Sequence, residues 1–366
     1  MPPHILDHLA ESPDPAVREA ARRTLVASAQ LRGARSARSA PGADLATPTR
    51  GRRTIFDAQH RESLVDAELM RTETAPPSAD PAVNQAFDGL GATRQFYAEV
   101  LHRDSIDGMG MRLDGYVHYG DQFNNAFWDG RHMVFGDGDS VMFTDFTASL
   151  DVIGHELTHG VTQMTAGLTY HNQPGALNES MSDVFGSLIK QWSLDQTAEE
   201  ADWLIGAEIF TPSHAGDALR SMKDPGQAYD NPTMGKDPQP GHMTDFMVLP
   251  DTARGDWGGV HINSGIPNRA FHLAAVNIGG QAWKAPGHIW YEALKASSRT
   301  TDFQQFADTT AAKAAQLYGP DAQDAVTDAW GQVGITVAGT PPPRGLHDRM
   351  PRRLERYPNA EELDRT

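Results

Sequence analysis

Two histidines four positions apart, with a glutamate beside the first, constrain this chain more than any other feature. The string is His155-Glu156-Leu157-Thr158-His159. On a helix of about 3.6 residues per turn, positions i and i+4 lie one above the other, so both imidazoles can bind one ion. The pattern predicts a zinc site and a metal-dependent hydrolase, with Glu156 facing the same cavity as the metal.

The same string also occurs by chance on amphipathic helices whose polar side chains face solvent. Here the flanking residues favour burial, because apolar side chains recur at helical spacing around the two histidines. These apolar residues are Leu150, Val152, Ile153, Leu157 and Val161. Since buried imidazoles need polar partners, the flanks favour the metal-binding interpretation.

A third ligand is predicted on the next helical segment, residues 175–183, where Glu179 is the candidate. Asn178 and Asp183 are predicted to lie behind the ligands, because a metal-bound imidazole usually donates its second N–H to a carboxylate or amide oxygen. The alternative is an acidic helix that faces solvent, with Asn178 as its cap. The apolar residues that adjoin this segment argue against full exposure.

These residues resemble the thermolysin-like zinc peptidases, whose ligands are two histidines and a later glutamate in a Gly-Ala-x-Asn-Glu context. The resemblance runs from Thr54 to Val337. It implies an α+β fold with two lobes and an active-site cleft between them. A mostly β N-terminal lobe would cover residues 54–150, and a helical C-terminal lobe with the zinc site would cover residues 151–338. Residues 339–366 are predicted to form a disordered tail.

The resemblance also implies roles outside the metal ligands. Tyr170 and His261 would stabilise the tetrahedral intermediate, and Asp256 would orient the His261 imidazole. A second set would hold the substrate backbone and its carbonyl groups: Asn125, Ala126 through its carbonyl, and Arg220. A third set would line the pocket for the side chain after the cut bond: Phe143, Phe146, Val152, Ile205 and Leu219. This pocket predicts a preference for bulky apolar residues, with core packing as the competing explanation for each member.

The chemistry of amide hydrolysis sets its own requirements: a nucleophile at neutral pH, a base, and donors for the developing oxyanion. Zinc with three protein ligands leaves one position open for water, lowers its pKa to about 7 and polarises the scissile carbonyl. Glu156 would take the water proton and deliver it to the leaving amine. An isolated tyrosine or histidine is more often a core residue, so the roles of Tyr170 and His261 depend on the resemblance.

Calcium is predicted only weakly. Larger relatives bind two calcium ions through an acidic cluster, and Lys190, Leu204 and Ala207 occupy matching acidic positions here. Because hard cations need several oxygen ligands, the double-calcium site is predicted to be missing. A weaker single site could involve four residues: Asp137, Asp139, Thr211 and Asp217.

Composition and charge limit the partners. The chain has 366 residues, no cysteine and a formal net charge of −17. Without cysteine, disulfides and thiol ligands are excluded. Residues 1–53 contain nine arginines and five acidic residues, whereas the remainder contains 22 basic and 43 acidic residues. A basic leader on an acidic body predicts that the two associate and argues against nucleic acid as a partner of the body. No stretch approaches a transmembrane helix, so no membrane is expected, and we expect a monomer.

Residues 1–53 are predicted to be a propeptide and linker. Apolar residues recur at loosely helical spacing over residues 2–30, whereas residues 31–53 have the composition of an accessible linker. The Pro2-Pro3 start resembles the short propeptides of the protealysin-like branch of this family. It implies a zymogen that inhibits itself and is cut autocatalytically between Arg38 and Arg53. The alternative is a disordered tail with no inhibitory role.

The sequence also bears on where the protein is made and on two alternative functions. The N-terminus lacks a charged start followed by a long apolar run, so we expect synthesis in the cytoplasm without a Sec signal and, at most, export by a leaderless route. A zinc-binding scaffold that has lost catalysis and a narrow zinc hydrolase of small peptides are the alternatives to an endopeptidase. No catalytic position is missing, which argues against the scaffold.

Overall fold

The computed structural model describes residues 1–37 and 52–338 of the chain. The chain divides into two compact units. The first contains residues Met1–Val161, Ile205–Leu219 and Ala228–Asp237, and the second contains Thr162–Leu204, Arg220–Gln227 and the described part of Pro238–Thr366. Most of the predicted cleavage segment, between Arg38 and Arg53, and the predicted tail lie outside the described residues.

A five-stranded sheet organises the first unit. Its strands are β1 (Arg53–Asp57), β2 (Glu68–Thr72), β3 (Leu113–Val117), β4 (Ala126–Trp128) and β5 (Met133–Phe135). Their order is β2-β1-β3-β5-β4, with β1–β3 and β3–β5 parallel and the outer pairs antiparallel. The burial of β3 alternates along the strand, as a strand with one face on the core requires. In this order β4 is an edge strand, so one side of its backbone can pair with an added chain.

Two helices precede this sheet in the first unit: α1 (Pro3–Leu9) and α2 (Pro15–Ala37). Their apolar side chains are buried: Ile5, Leu6, Leu9, Val17, Ala20 and Ala21. Helix α2 continues to Ala37, into the segment whose composition resembles a linker. Its alanine, arginine and leucine residues are strong helix formers, which is consistent with this extension.

A long helix, α3 (Pro81–Leu101), contacts β1 and β3. Asp80 caps its start by accepting a hydrogen bond from the Ala82 amide, and Pro81 occupies the first helical position, where its missing N–H is harmless. The helix ends where His102 adopts a left-handed conformation, with φ of 50°.

Helices dominate the rest of the chain. They are α4 (Leu150–Met164), α5 (Asn172–Ser193), α6 (Asp256–Asn263), α7 (Gly265–Ile278), α8 (Ala285–Ala296), α9 (Phe303–Tyr318) and α10 (Pro320–Gln332). Short strands also occur at β6 (Leu204–Ile205), β7 (Arg220–Ser221), β8 (Asp230–Asn231) and β9 (Gly235–Lys236). The core of the second unit is aromatic: Trp290 and Trp330 stack with centroids 6.3 Å apart, and Phe271 meets Trp290 edge-on at 5.0 Å. Within the described residues, no helix is both long and apolar enough to cross a membrane.

Candidate active site and metal centre

Helix α4 carries the two histidines and the glutamate of the opening motif. His155 and His159 are 6% and 3% exposed, and their Nε2 atoms lie 3.1 Å apart. Buried Ile153, Leu157 and Val161 flank them, so the solvent-facing alternative is wrong for this helix. A helix with this apolar set packs into the interior and carries its imidazoles with it.

The third ligand candidate, Glu179, lies on α5 and is 1% exposed. His155, His159 and Glu179 each offer one ligand atom, and these three atoms all lie within 4.8 Å of one another. Tetrahedral zinc, with ligands at about 2.0–2.1 Å, places neighbouring ligand atoms about 3.3 Å apart. Two imidazole nitrogens and one carboxylate oxygen, all buried, therefore fit zinc in both chemistry and spacing.

Glu156 is also buried, at 7% exposure, and its position is fixed by the edge strand. Its Oε2 accepts a hydrogen bond from the backbone N–H of Trp128 in β4 at 3.2 Å. This contact holds one carboxylate oxygen in place without neutralising it. Sequence reasoning missed this role of Trp128, because no side-chain pattern marks a backbone donor.

In the second unit, Tyr170 and His261 come together. The Tyr170 hydroxyl lies 3.3 Å from His261 Nε2 and donates a short hydrogen bond to Glu179 Oε1. Asp256 binds the other side of the imidazole, with Oδ1 at 2.6 Å from His261 Nδ1 and Oδ2 accepting from the His261 backbone N–H at 2.7 Å. The carboxylate thereby fixes both the ring and the backbone that carries it.

The backbone before His261 is unusual. Four consecutive residues, Asp256–Gly259, have φ values of 53°, 52°, 85° and 77°. L-residues avoid this left-handed region, and the two glycines tolerate it. A Cβ on Gly258 would come within 2.2 Å of Asn172 Oδ1, so this glycine is required by packing as well as by φ.

The predicted substrate residue Asn125 is already engaged within the first unit. Its side-chain Nδ2 donates to Ser28 Oγ in α2 at 3.0 Å, and its Oδ1 accepts from the N-terminal amine at 2.5 Å. The neighbouring Asn124 backbone N–H donates to Thr24 Oγ1 at 3.0 Å. Helix α2 therefore contacts the residues that enter the edge strand at Ala126.

Asp183 and Arg220 form a buried ion pair. Arg220 donates from Nε and Nη2 to the two Asp183 oxygens at 2.7 Å and 2.6 Å, and Asn268 Nδ2 donates to the same carboxylate at 2.8 Å. The two residues were predicted in separate roles, Asp183 behind a metal ligand and Arg220 on a substrate carbonyl. Asn178 donates to the Leu168 carbonyl at 3.3 Å.

The predicted pocket residues are all buried. Phe143 and Phe146 are 0% and 1% exposed, with ring centroids 5.9 Å apart, and Ile205 is 0% exposed. Val152 and Leu219 both lie against Gly206, whose φ of 70° and close neighbours exclude a side chain there. The five residues thus belong to the first unit and share apolar surroundings.

Comparison with known proteins decides the family. The thermolysin metallopeptidase catalytic domain matches residues 39–163, and the thermolysin metallopeptidase alpha-helical domain matches residues 166–335. This chain belongs to the thermolysin metallopeptidase family. The α+β fold, with a β-rich N-terminal domain and a helical C-terminal domain, is confirmed.

Individual relatives agree with this assignment. An extracellular metalloprotease of Pectobacterium carotovorum subsp. carotovorum is 45% identical over 339 residues, which cover 92% of this chain and 96% of the relative. Protease PrtS of Photorhabdus sp. strain Az29 is 50% identical over 287 residues, covering 78% and 76%. A solved structure, the precursor of protealysin, a metalloproteinase from Serratia proteamaculans, has a TM-score of 0.82, 44% identity and coverage of 92% and 99%.

Several predictions are settled by these matches. The chain is a zinc-dependent metalloendopeptidase that hydrolyses peptide bonds in protein or peptide substrates. The precursor match supports a zymogen with a propeptide. The scaffold and small-peptide hydrolase alternatives gain no support.

The cytoplasmic location predicted from the sequence is wrong. One relative is named an extracellular metalloprotease, which points to export. The prediction rested on the composition of the N-terminal residues, which fold as α1 and α2. The composition of these residues does not determine the destination of the enzyme.

Two of the candidate calcium residues, Asp137 and Asp139, accept hydrogen bonds from other residues of the chain. Asp137 Oδ1 binds His118 Nδ1 at 2.8 Å, and Asp139 Oδ1 accepts backbone N–H groups from residues 141–143. Lys190 pairs with Asp202 at 3.0 Å. In the described part of the chain, His155, His159 and Glu179 are the only group of three or more such donors that meets metal-binding spacing.

Proposed function

We propose that Glu156 is the general base of this peptidase. Its buried carboxylate, adjacent in sequence to His155 and held by the Trp128 amide, is the observation that carries the proposal. Zinc held by the three ligands supplies a Lewis acid and a water of lowered pKa. With Oε2 fixed by the amide, the second oxygen of Glu156 takes the proton of the attacking water and passes it to the leaving amine.

Tyr170 and His261 are proposed to donate hydrogen bonds to the oxyanion. The 2.6 Å contact between His261 Nδ1 and Asp256 supports this role, because it fixes the ring with Nε2 on the side of the Tyr170 hydroxyl. Donors that are already oriented need no rearrangement when charge develops, which makes them effective in a desolvated site.

The substrate is proposed to bind as an added strand along β4. Main-chain groups of the edge strand, including the Ala126 carbonyl, and the Asn125 amide would pair with the peptide backbone. Arg220 would present its guanidinium to a substrate carbonyl, since the Asp183 pair holds it rigidly at 4% exposure. Asn178 and Asp183 are proposed to support the ligands from behind.

A bulky apolar residue is proposed to follow the cut bond. Phe143, Phe146, Val152 and Leu219 supply an apolar surface without charge, and Val152 and Leu219 pack closely around Gly206. Burial of a leucine- or phenylalanine-sized side chain there would contribute about 1.5–3 kcal/mol.

The propeptide is proposed to act as an intramolecular inhibitor that the enzyme removes itself, by a cut between Arg38 and Arg53. Ser28 and Thr24, one helical turn apart on α2, occupy the Asn125 side chain and the Asn124 N–H. Both hydroxyl residues are buried, at 3% and 0% exposure. A substrate strand and α2 would therefore compete for the same groups.

The oligomeric state, the partners and the location of the enzyme are proposed from its charge and from the names of its relatives. The chain is expected to act as a monomer without nucleic-acid or membrane partners, given its acidic body. Export of the enzyme is proposed from the names of its relatives.

The test is intact-mass spectrometry of the purified full chain during storage. The wild-type chain should shorten at its N-terminus, and 1,10-phenanthroline should stop this until zinc is restored. Glu156→Gln should stay full length unless mature wild-type enzyme is added. Shortening of Glu156→Gln at the wild-type rate would contradict the role of this base.

A further inference from the structure

The two proposed oxyanion donors come from separate segments of the second unit. Tyr170 lies just before α5 and His261 lies in α6, 91 residues later. Their direct contact, 3.3 Å between hydroxyl and imidazole, is long for a hydrogen bond that involves a hydroxyl. Other contacts must therefore keep the segments that carry Tyr170 and His261 at a fixed separation.

The residue after Tyr170 makes such a contact. His171 Nδ1 lies 2.5 Å from Asp251 Oδ1, and the His171 ring meets the Trp257 ring edge-on with centroids 5.1 Å apart. Asn172 then packs against Gly258. Trp257 and Gly258 both belong to the left-handed turn that leads to His261.

The loop that carries Asp251 also holds this turn through its backbone. The Pro250 carbonyl accepts from the Gly258 N–H at 3.1 Å, and the Thr252 carbonyl accepts from the Trp257 N–H at 2.8 Å. Asp256, at the start of the turn, binds the His261 imidazole. A continuous set of contacts thus runs from Tyr170 through its neighbour and the loop to His261.

We propose that His171 and Asp251 are positioning residues that set the separation of Tyr170 and His261. The inference rests on the proposed catalytic role of that pair. Side-chain exposures of 43% and 46% mean that the His171–Asp251 pair contributes little to global stability. Its effect is local, because it fixes the angle at which one segment presents a hydroxyl and the other an imidazole.

The first experiment measures kcat and KM of mature variants on a fluorogenic peptide. His171→Ala and Asp251→Ala should each lower kcat about five- to tenfold with KM within about twofold, since misplaced donors weaken the transition state more than substrate binding. His171→Asn, whose amide N–H replaces that of Nδ1, should restore most of kcat. Thermal midpoint and zinc content should stay at wild-type values.

A matched control is His288→Ala on α8, which removes another histidine paired with a carboxylate, 3.8 Å from Glu292. It should leave kcat unchanged. Wild-type kcat in His171→Ala, an equal loss in the control, or no rescue by asparagine would overturn the inference.

The second experiment is a double-mutant cycle with His261→Ala. Once the imidazole is gone, adding His171→Ala should lower kcat less than about twofold further, because coupled residues are not additive. An undiminished five- to tenfold loss in that background would overturn the positioning role. If His261→Ala alone leaves kcat unchanged, the proposed function of the donor pair fails instead.

Discussion

Helix α4 and the segment from Asp256 to His261 position the proposed catalytic groups by opposite means. In α4, regular helical geometry brings two imidazole nitrogens to 3.1 Å of each other. In the second segment, four left-handed residues and a loop of backbone hydrogen bonds aim one imidazole. A regular helix needs only the right residue spacing, whereas the irregular turn depends on each glycine and each loop contact. Substitutions of the α4 histidines should therefore remove the metal. Substitutions in the turn should weaken catalysis while the metal stays bound.

The largest effect is expected in α4. His159→Ala should lower kcat/KM on a peptide by at least about a thousandfold, because two remaining ligands bind zinc poorly and the nucleophile is lost. The assay is fluorogenic peptide cleavage by the full chain, with propeptide removal followed by mass spectrometry. His102→Asn, at an exposed left-handed position, is the control and should keep full activity. Substantial activity in His159→Ala would break the comparison.

A smaller effect is expected when the turn loses its carboxylate. Asp256→Asn keeps an acceptor for the backbone N–H but weakens its hold on the His261 ring. We expect kcat to fall about ten- to a hundredfold, which is no more than the fall caused by removing an oxyanion donor outright. Zinc should be retained. Asp195→Asn, which alters a surface contact with Gln281, should have no effect. Loss of zinc from Asp256→Asn would mean that the two regions are not separable.

Glycine substitution sharpens the argument about the turn. Gly258 and Gly280 both have positive φ values, 85° and 72°, but of the two only Gly258 has neighbours that a Cβ would meet. Gly280→Ala should cost about 1 kcal/mol of unfolding free energy from backbone strain. Gly258→Ala should cost about 1–3 kcal/mol more, through its clash with Asn172. Denaturant unfolding in the Glu156→Gln background measures both, and equal costs would contradict the packing argument.

The smallest effect lies outside both regions, at His118 in the first unit. The hydrogen bonds that the His118 ring donates to Asp137 and Asp80 raise the pKa of His118 to about 9, against the effect of its burial. The protonated ring stabilises the fold fully below its unfolded pKa of about 6.5, and this contribution disappears as pH rises through 9. Because the site is half-buried and screened, the contribution is about 1 kcal/mol.

This pH dependence is tested by measuring the unfolding free energy of Glu156→Gln with and without His118→Gln. The difference in unfolding free energy between the two variants should be largest at pH 6 and vanish by pH 10. A difference that grows with pH would reverse the sign of the account.

Sequence alone predicted what regular spacing determines. The prediction included the motif of α4 and Glu179 on the next helix. The sequence could not predict contacts made through the backbone, such as the Trp128 N–H on Glu156, because any residue type supplies that donor. Nor could it find the His171–Asp251 pair, whose members are 80 residues apart and exposed.

The most direct test of the central claim is the zinc content of the purified full chain, measured by elemental mass spectrometry. Glu156→Gln, which keeps all three ligands and does not digest itself, should carry about one zinc per chain. Adding Glu179→Ala or His159→Ala should reduce this to below about one tenth. A well-folded Glu156→Gln chain without zinc, or full zinc retained after either ligand is removed, would contradict the account.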